Sequence, residues 1–183
     1  MNENLHGGPD TVLTFTCGPE PEDIFSAVYE ACLFSMSGEG AALEIEGENF
    51  QPSLFARYLH VDRDEKKARQ MLEMVRRRIS EEACLGAYRA SLSFAQDRAD
   101  AVYRFVLRGF RVGRGVTDRL QDAAVCRVFE LARKAANESH LFLGFTRFAA
   151  WDNGVLFARI APKCHVLPVI APHFAGRMPG ENW

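Results

Sequence analysis

The chain has 183 residues, 48% of them hydrophobic, and its 22 basic and 24 acidic side chains give a formal net charge of −2. This composition is typical of a globular protein that is long enough to form a full hydrophobic core. The apolar runs, such as residues 166–171, are only a few residues long, whereas a bilayer-spanning helix needs about 20. The sequence therefore excludes a transmembrane protein, and we expect no membrane partner.

The N-terminal residues and the cysteines indicate the compartment. Residues 1–8 have neither the basic opening nor the apolar stretch of a secretory signal. The cysteines are an odd number with wide spacing and no C-x-x-C pair, which argues against a disulfide framework. We therefore expect a cytoplasmic protein with reduced thiols.

The charges are divided unevenly along the chain. Residues 1–56 hold ten acidic side chains and no Lys or Arg, whereas the 22 basic and 14 acidic side chains of residues 57–183 give +8. Two interpretations are open. Either acidic and basic surfaces pair within one fold or face water, or the basic part forms a surface that binds an anion such as nucleic acid.

The acidic part of the chain, residues 11–56, predicts a β-α-β element after a disordered lead over residues 1–10. Residues 11–16 alternate and are rich in β-branched side chains, so they predict a strand. Acidic residues then precede a helix whose apolar positions recur at helical spacing between 24 and 32. A second short strand is predicted at residues 42–46, which gives a β-α-β unit of the usual size.

The middle part, residues 57–143, predicts basic helices. Residues 62–93 have helical periodicity, and Ser80 followed by two glutamates predicts a restart that divides them into two helices. Further helices are predicted over residues 97–113 and 122–140, because each has an apolar face at helical spacing.

The C-terminal part predicts a β-hairpin. The dipeptide Asn153-Gly154 is typical of a two-residue turn, and it lies between strand-forming segments at residues 145–151 and 155–160. With that turn, Trp151 would pair with Leu156.

A proline-rich tail follows the hairpin. Three prolines between residues 162 and 174 predict a loop with at most a short helix. The sequence thus predicts an α+β fold with an N-terminal β-α-β element, a helical middle and a C-terminal β-hairpin. We expect one domain over residues 1–183, with the hairpin and tail occupying residues 144–183.

Several stretches together resemble a known family: residues 14–18, 23–28, 102–105, 109–113, 140–148, 162–168 and 171–174. They resemble a family of uncharacterised bacterial proteins labelled as DNA-metabolism proteins, and the similarity covers most of the chain. Members of that family are typically encoded beside a radical-SAM protein, and some are fused to a uracil-DNA-glycosylase-type domain. The resemblance implies a role in DNA repair or DNA modification and a radical-SAM protein as partner, but no established activity. Because members continue into further strands, it also implies that this chain is a shortened version.

A basic stripe on the predicted helix 97–113 is the first candidate site. It is formed by four arginines: Arg104, Arg108, Arg111 and Arg114. Guanidinium groups bind phosphate oxygens in a bidentate manner, and no acidic residue occurs between 101 and 117, so the stripe predicts binding of nucleic acid (DNA). The alternative is a solvated helix face balanced by acidic neighbours. The run at residues 76–78 spreads around its helix and is better explained as a helix C-terminus.

The second candidate site lies near the predicted hairpin. Its residues are His140, Arg147, His165 and His173, together with Lys163. A histidine could act as general acid or base, and the cations could hold an anionic group, which would make the protein an enzyme acting on nucleic acid. The alternative for each histidine is a buried imidazole bonded to a backbone carbonyl. No carboxylate pair or nucleophile lies nearby in the sequence, so no reaction type follows.

Three further groups are weaker candidates. Cys17, His140, Cys164 and His165 match no zinc spacing, so we expect no metal site, and nothing in the sequence indicates a cofactor. Cys17 could be a reactive thiol at a helix start or an inert core residue. The aromatic residues that could stack on bases are Phe142, Phe145, Phe148, Trp151 and Phe157, although most of them are expected in the core.

The leading hypothesis is an accessory protein in bacterial DNA repair or DNA modification that binds nucleic acid through the arginine stripe. One alternative is an enzyme that uses the His/Arg cleft. The other is a protein-interaction module whose basic face binds an acidic partner, with the radical-SAM protein as the partner that the resemblance implies.

Overall fold

The computed structural model of the chain describes residues 12–47, 50, 52, 56–151 and 154–183. The predicted lead, residues 1–10, lies outside these residues. The fold is α+β, as predicted, with a three-stranded sheet near the N-terminus, a helical middle and a C-terminal pair of strands.

The elements follow in chain order: β1 (Leu13–Cys17), α1 (Pro21–Ser35), β2 (Ala41–Ile45), β3 (Arg57–His60), α2 (Glu65–Arg78), α3 (Glu81–Ser91), α4 (Arg98–Val112), α5 (Ala123–Phe145), β4 (Ala149–Ala150), β5 (Leu156–Phe157) and α6 (Leu167–Arg177). A 3-10 turn at Gly113–Val116 follows α4. Within the described residues, no helix combines the length and the apolar character that crossing a membrane requires.

The strand β1 lies at the centre of a parallel sheet with the order β2-β1-β3. All five of its residues are buried, as expected of a central strand in a parallel sheet. The unit β1-α1-β2 confirms the predicted β-α-β element. The strand β3 was not predicted. It lies at the exposed edge of the sheet, and its sequence, Arg57–His60, lacks the alternation of apolar and polar residues that predicts a strand.

Side chains at the starts of three helices accept hydrogen bonds from amides that would otherwise be unpaired. Asp64 accepts from the amides of residues 66 and 67 at the start of α2. Ser80 accepts from the Ala83 amide and Asp122 from the Ala124 amide. The predicted helix restart at Ser80 is therefore confirmed.

The hydrophobic core has a main part and a smaller part. The main part lies between the sheet and helices α1 to α5, and its largest fully buried side chains include Phe15, Phe25, Phe105 and Met71. The smaller cluster joins α6 to α3 and α5. In it, Phe174 of α6 packs edge-to-face against the Phe148 ring at 5.1 Å.

The C-terminal hairpin forms, but with a different register from the predicted one. Ala150 pairs with Leu156, whereas a two-residue turn would pair Trp151 with Leu156. The Trp151 amide donates to the Val155 carbonyl, so three residues form the loop. The last of them, Gly154, has φ +79°, a left-handed conformation that favours glycine in three-residue hairpin loops. Asn153, the other residue of the predicted turn, lies outside the described residues.

Two boundaries near this hairpin also differ from the predictions. The helix α5 continues to Phe145, where the first strand was predicted to begin, and the two strands have only two residues each. The tail forms an 11-residue helix, α6, rather than a loop with at most a short helix. Pro168 lies in its first turn, where the missing amide has no intrahelical partner to lose.

Candidate functional site

The helix α4 presents its arginines to solvent because the opposite face is buried in the main core. Val102, Phe105 and Val106 are fully buried, and Arg104 and Arg111 are exposed on the other side. Spacings of three and four residues keep the arginines on one face of the helix. The sequence-predicted stripe is therefore a surface feature of the fold.

Arg104 is engaged in an ion pair that links α4 to the sheet. Its Nε donates to the Asp100 carboxylate one helical turn earlier. The other oxygen of Asp100 accepts a hydrogen bond from the Leu43 amide of β2 at 3.2 Å. Arg104 therefore supports the carboxylate that holds the free edge of the sheet against α4.

Arg108 is engaged in a similar way with the start of α5. Its Nε lies 2.6 Å from the Asp122 carboxylate, which also caps α5 through the Ala124 amide. Arg108 lines a surface pocket of about 590 Å³ together with Arg119, Asp118 and Asp122. The absence of acidic residues between 101 and 117 was misleading here, because the carboxylates come from just outside that window.

Arg111 and Arg114 differ from these two arginines. Both are exposed, and neither forms an ion pair within the described ranges. The guanidinium carbon of Arg78, from the end of α2, lies 5.7 Å from the centroid of the Phe110 ring, in a cation–π arrangement. Arg78 therefore lies where the C-terminal ends of α2 and α4 meet.

The run of arginines at the end of α2 spreads in several directions, as predicted from helical geometry. Arg76 forms ion pairs with Glu73 and Glu81, and Arg77 pairs with Glu73. Arg78 instead extends toward Phe110 of α4. Only the tertiary structure shows that Arg78 packs against α4.

The residues of the predicted His/Arg cleft lie on separate elements. His140 is exposed on α5, and His173 is exposed on α6 beside the Phe174 ring. Arg147 lies just after α5 and donates to the Gly144 carbonyl near the end of that helix. His165 is exposed, and its Nδ1 lies 3.4 Å from a carboxylate oxygen of Glu20 in the turn before α1. Across the part of the chain that is described, no hydrogen bond or ion pair joins two of the four cleft residues.

Cys17 is fully buried, and burial raises the pKa of its thiol to about 12, with a further contribution from Asp23. Burial and the raised pKa favour the inert core residue over the reactive thiol. The neighbouring Arg98 is only 8% exposed and donates to the carbonyls of Pro19 and Ala95, which ties the β1–α1 turn to α4. Burial lowers the pKa of Arg98.

The structure gives the positions of the remaining weaker candidates. Among the residues for which positions are described, no three His, Cys, Asp or Glu side chains are grouped closely enough to hold a metal ion. Of the aromatic candidates, Phe145, Trp151 and Phe157 are exposed. The rings of Trp151 and Phe157 lie 5.1 Å apart on the hairpin surface.

One titratable pair was missed by the sequence reasoning. His60 ends β3 at the carboxyl edge of the sheet, and its Nδ1 lies 2.8 Å from the Glu46 carboxylate, which follows β2. Hydrogen bonds from Thr16 and His60 lower the pKa of Glu46, and the bond to Glu46 raises the pKa of His60. No sequence signal joins these residues, because only the parallel pairing of β2 and β3 with β1 brings their ends together.

Part of the chain matches a known protein family. Residues 96–183, which run from the residues before α4 to the C-terminal Trp183, match a family described as a domain of unknown function, DUF4130. No curated protein and no solved structure matches the chain. The predicted kinship with an uncharacterised family is supported for this part of the chain, whereas the association with DNA metabolism stays a prediction.

Proposed function

We propose that the protein is an accessory factor in bacterial DNA repair or DNA modification that binds nucleic acid through the arginines at the end of α4. The observation that supports this is that Arg111 and Arg114 are exposed and form no ion pair with any described residue. Guanidinium groups in this state can bind phosphate oxygens without first giving up an ion pair. The DNA-repair setting and a radical-SAM partner rest on the family resemblance.

The four arginines of the stripe have different roles in this proposal. Arg111 and Arg114 contact phosphates directly. Arg104 and Arg108 act on the fold, because their carboxylate partners hold β2 and cap α5. We therefore expect substitution of Arg111 and Arg114 to weaken binding without changing stability, and substitution of Arg104 or Arg108 to do the reverse.

The experiment is fluorescence anisotropy of labelled single-stranded and duplex DNA over a salt series. The wild type is compared with Arg111→Ala/Arg114→Ala. Removing two phosphate contacts should lower the salt-dependence slope of log K by about 1.8 on duplex DNA or about 1.4 on a single strand. We expect the affinity at low salt to fall about tenfold or more.

A matched control removes the same charge elsewhere. Arg159 and Arg177 are exposed in the C-terminal part, so Arg159→Ala/Arg177→Ala should keep the wild-type slope. Equal losses in the two double variants would mean that only net charge matters. Absence of binding by the wild type at low salt would contradict the proposal and favour the protein-interaction module, which a nuclease-insensitive pull-down of the radical-SAM protein would test.

A further inference from the structure

A surface groove runs along α2 beside the Tyr29 ring of α1. Its volume is about 530 Å³, which lies in the range of clefts that hold small ligands. Four cations line it: Lys66, Arg69, Arg77 and Arg78. Glu73 is the carboxylate that faces them.

The groove carries excess positive charge that the protein itself does not neutralise. Glu73 is already bound to Arg76 and Arg77, with 3.2 Å between one oxygen of Glu73 and the Arg76 guanidinium. Lys66 and Arg69 are exposed and form no ion pair with any residue that the structure describes. The adjacent Lys67, by contrast, is paired with Glu30 at 2.6 Å.

The cations form a row rather than a cluster. Lys66, Arg69 and Arg77 lie on one face of α2 because their spacings of three and eight residues are close to one and two helical turns. From Lys66 to Arg77 the row extends about 16 Å along the helix axis. A row of this kind matches a ligand with charges repeated along its length, as in a phosphodiester backbone.

One end of the groove reaches the helix that carries the proposed binding site. Arg78 lines the end of the groove and lies over Phe110, next to Arg111 in α4. Arg111 and Arg114 are not among the residues that line the groove, so the groove and the α4 arginines are tested separately.

We propose that this groove holds one strand of nucleic acid, with phosphates on the cations of α2 and an unpaired base on the Tyr29 ring. The inference rests on the proposed nucleic-acid function and adds a preference for single strands, because a base in a duplex cannot stack on a protein ring without being unstacked. A row of cations beside an aromatic ring is the arrangement by which proteins bind single strands without sequence preference.

The test uses the full chain and a labelled oligothymidine, with a duplex of equal length as the second probe. Lys66→Ala/Arg69→Ala should weaken oligothymidine binding about tenfold and lower the salt slope by about 1.4. Tyr29→Leu should weaken it at least fivefold, and the matched variant Tyr29→Phe, which keeps the ring, should stay within twofold of the wild type. Thermal unfolding of each variant shows whether the fold is kept.

The outcomes separate this inference from the proposed function. Loss of binding in Arg111→Ala/Arg114→Ala but not in the Lys66 and Tyr29 variants overturns the groove and leaves the α4 site standing. The opposite result supports the groove and overturns the α4 site. Two further results would overturn the groove as a single-strand site. One is a loss of duplex binding in Tyr29→Leu that equals its loss of oligothymidine binding. The other is displacement of the oligothymidine by polyglutamate at equal charge concentration. No binding of either probe overturns both proposals.

Discussion

The contact between Gly109 of α4 and Ile79 at the end of α2 offers a test of how closely these helices pack. A Cβ atom at position 109 would lie 2.3 Å from Cδ1 and 3.2 Å from Cγ1 of Ile79. Ile79 is fully buried, so its side chain has no solvent space into which it can rotate. The substitution Gly109→Ala therefore inserts one methyl group into a filled site.

The expected magnitude is a balance of two effects. Overpacking of a core costs about 1–3 kcal/mol, whereas replacing glycine by alanine in a helix interior stabilises by about 1 kcal/mol. Gly109→Ala should therefore lower the free energy of unfolding by up to about 2 kcal/mol. Ile79→Val alone should cost about 0.5–1.5 kcal/mol, but in the Gly109→Ala background it removes the atom at 2.3 Å and should cost much less or stabilise.

The assay is urea unfolding followed by circular dichroism on the wild type, both single variants and the double variant. We expect a coupling energy of about 1 kcal/mol or more between positions 79 and 109, because they are in contact. Additivity within about 0.5 kcal/mol would refute the close packing of α2 on α4. Because the same helix contact brings Arg78 beside Phe110, additivity would also contradict the placement of Arg78 against α4.

Three other outcomes follow from the structure. An NMR titration should give His60 a pKa above 6.5 that falls toward 6.5 in Glu46→Gln, and an unchanged value would contradict the ion pair. The folded pKa of His60 is raised, so the stabilisation by this pair is lost as the pH rises through the pKa of His60. The folded pKa of Glu46 is lowered, so the stabilisation is also lost as the pH falls through the pKa of Glu46. Thiol labelling of the native protein at pH 8 should modify the exposed Cys126 and spare Cys17, because Cys17 is buried and its pKa is about 12. Rapid labelling of Cys17 would show that the β1–α1 turn opens. Phe105→Ala should lower the free energy of unfolding by about 3–5 kcal/mol in the same urea assay, because Phe105 is fully buried. A loss below about 1 kcal/mol would show that the core collapses into the space that the Phe105 ring leaves.

Features that depend on neighbouring residues were predictable from the sequence. The spacing of apolar residues predicted α1 and α4, and Ser80 marked the start of α3 by capping it. These patterns are informative because helix periodicity and caps are set within a few residues. The same argument placed the arginine stripe on the exposed face of α4.

Features that depend on distant residues were not predictable. The hairpin register depends on a three-residue loop with a left-handed residue at Gly154. The strand β3 was missed because this exposed edge strand has no periodic pattern of apolar residues. The His60 and Glu46 pair exists only because parallel pairing aligns the ends of two strands.

The sequence by itself determined the α+β class, the main helices and the division of the chain into an acidic and a basic part. Only the tertiary structure decided which cations are available to a ligand. Asp122 reaches Arg108 because α5 begins beside α4, and Arg78 reaches Phe110 because the ends of α2 and α4 meet. Ion pairs and stacking act over a few ångströms in space, so linear spacing predicts where the charges are but not which of them are already neutralised.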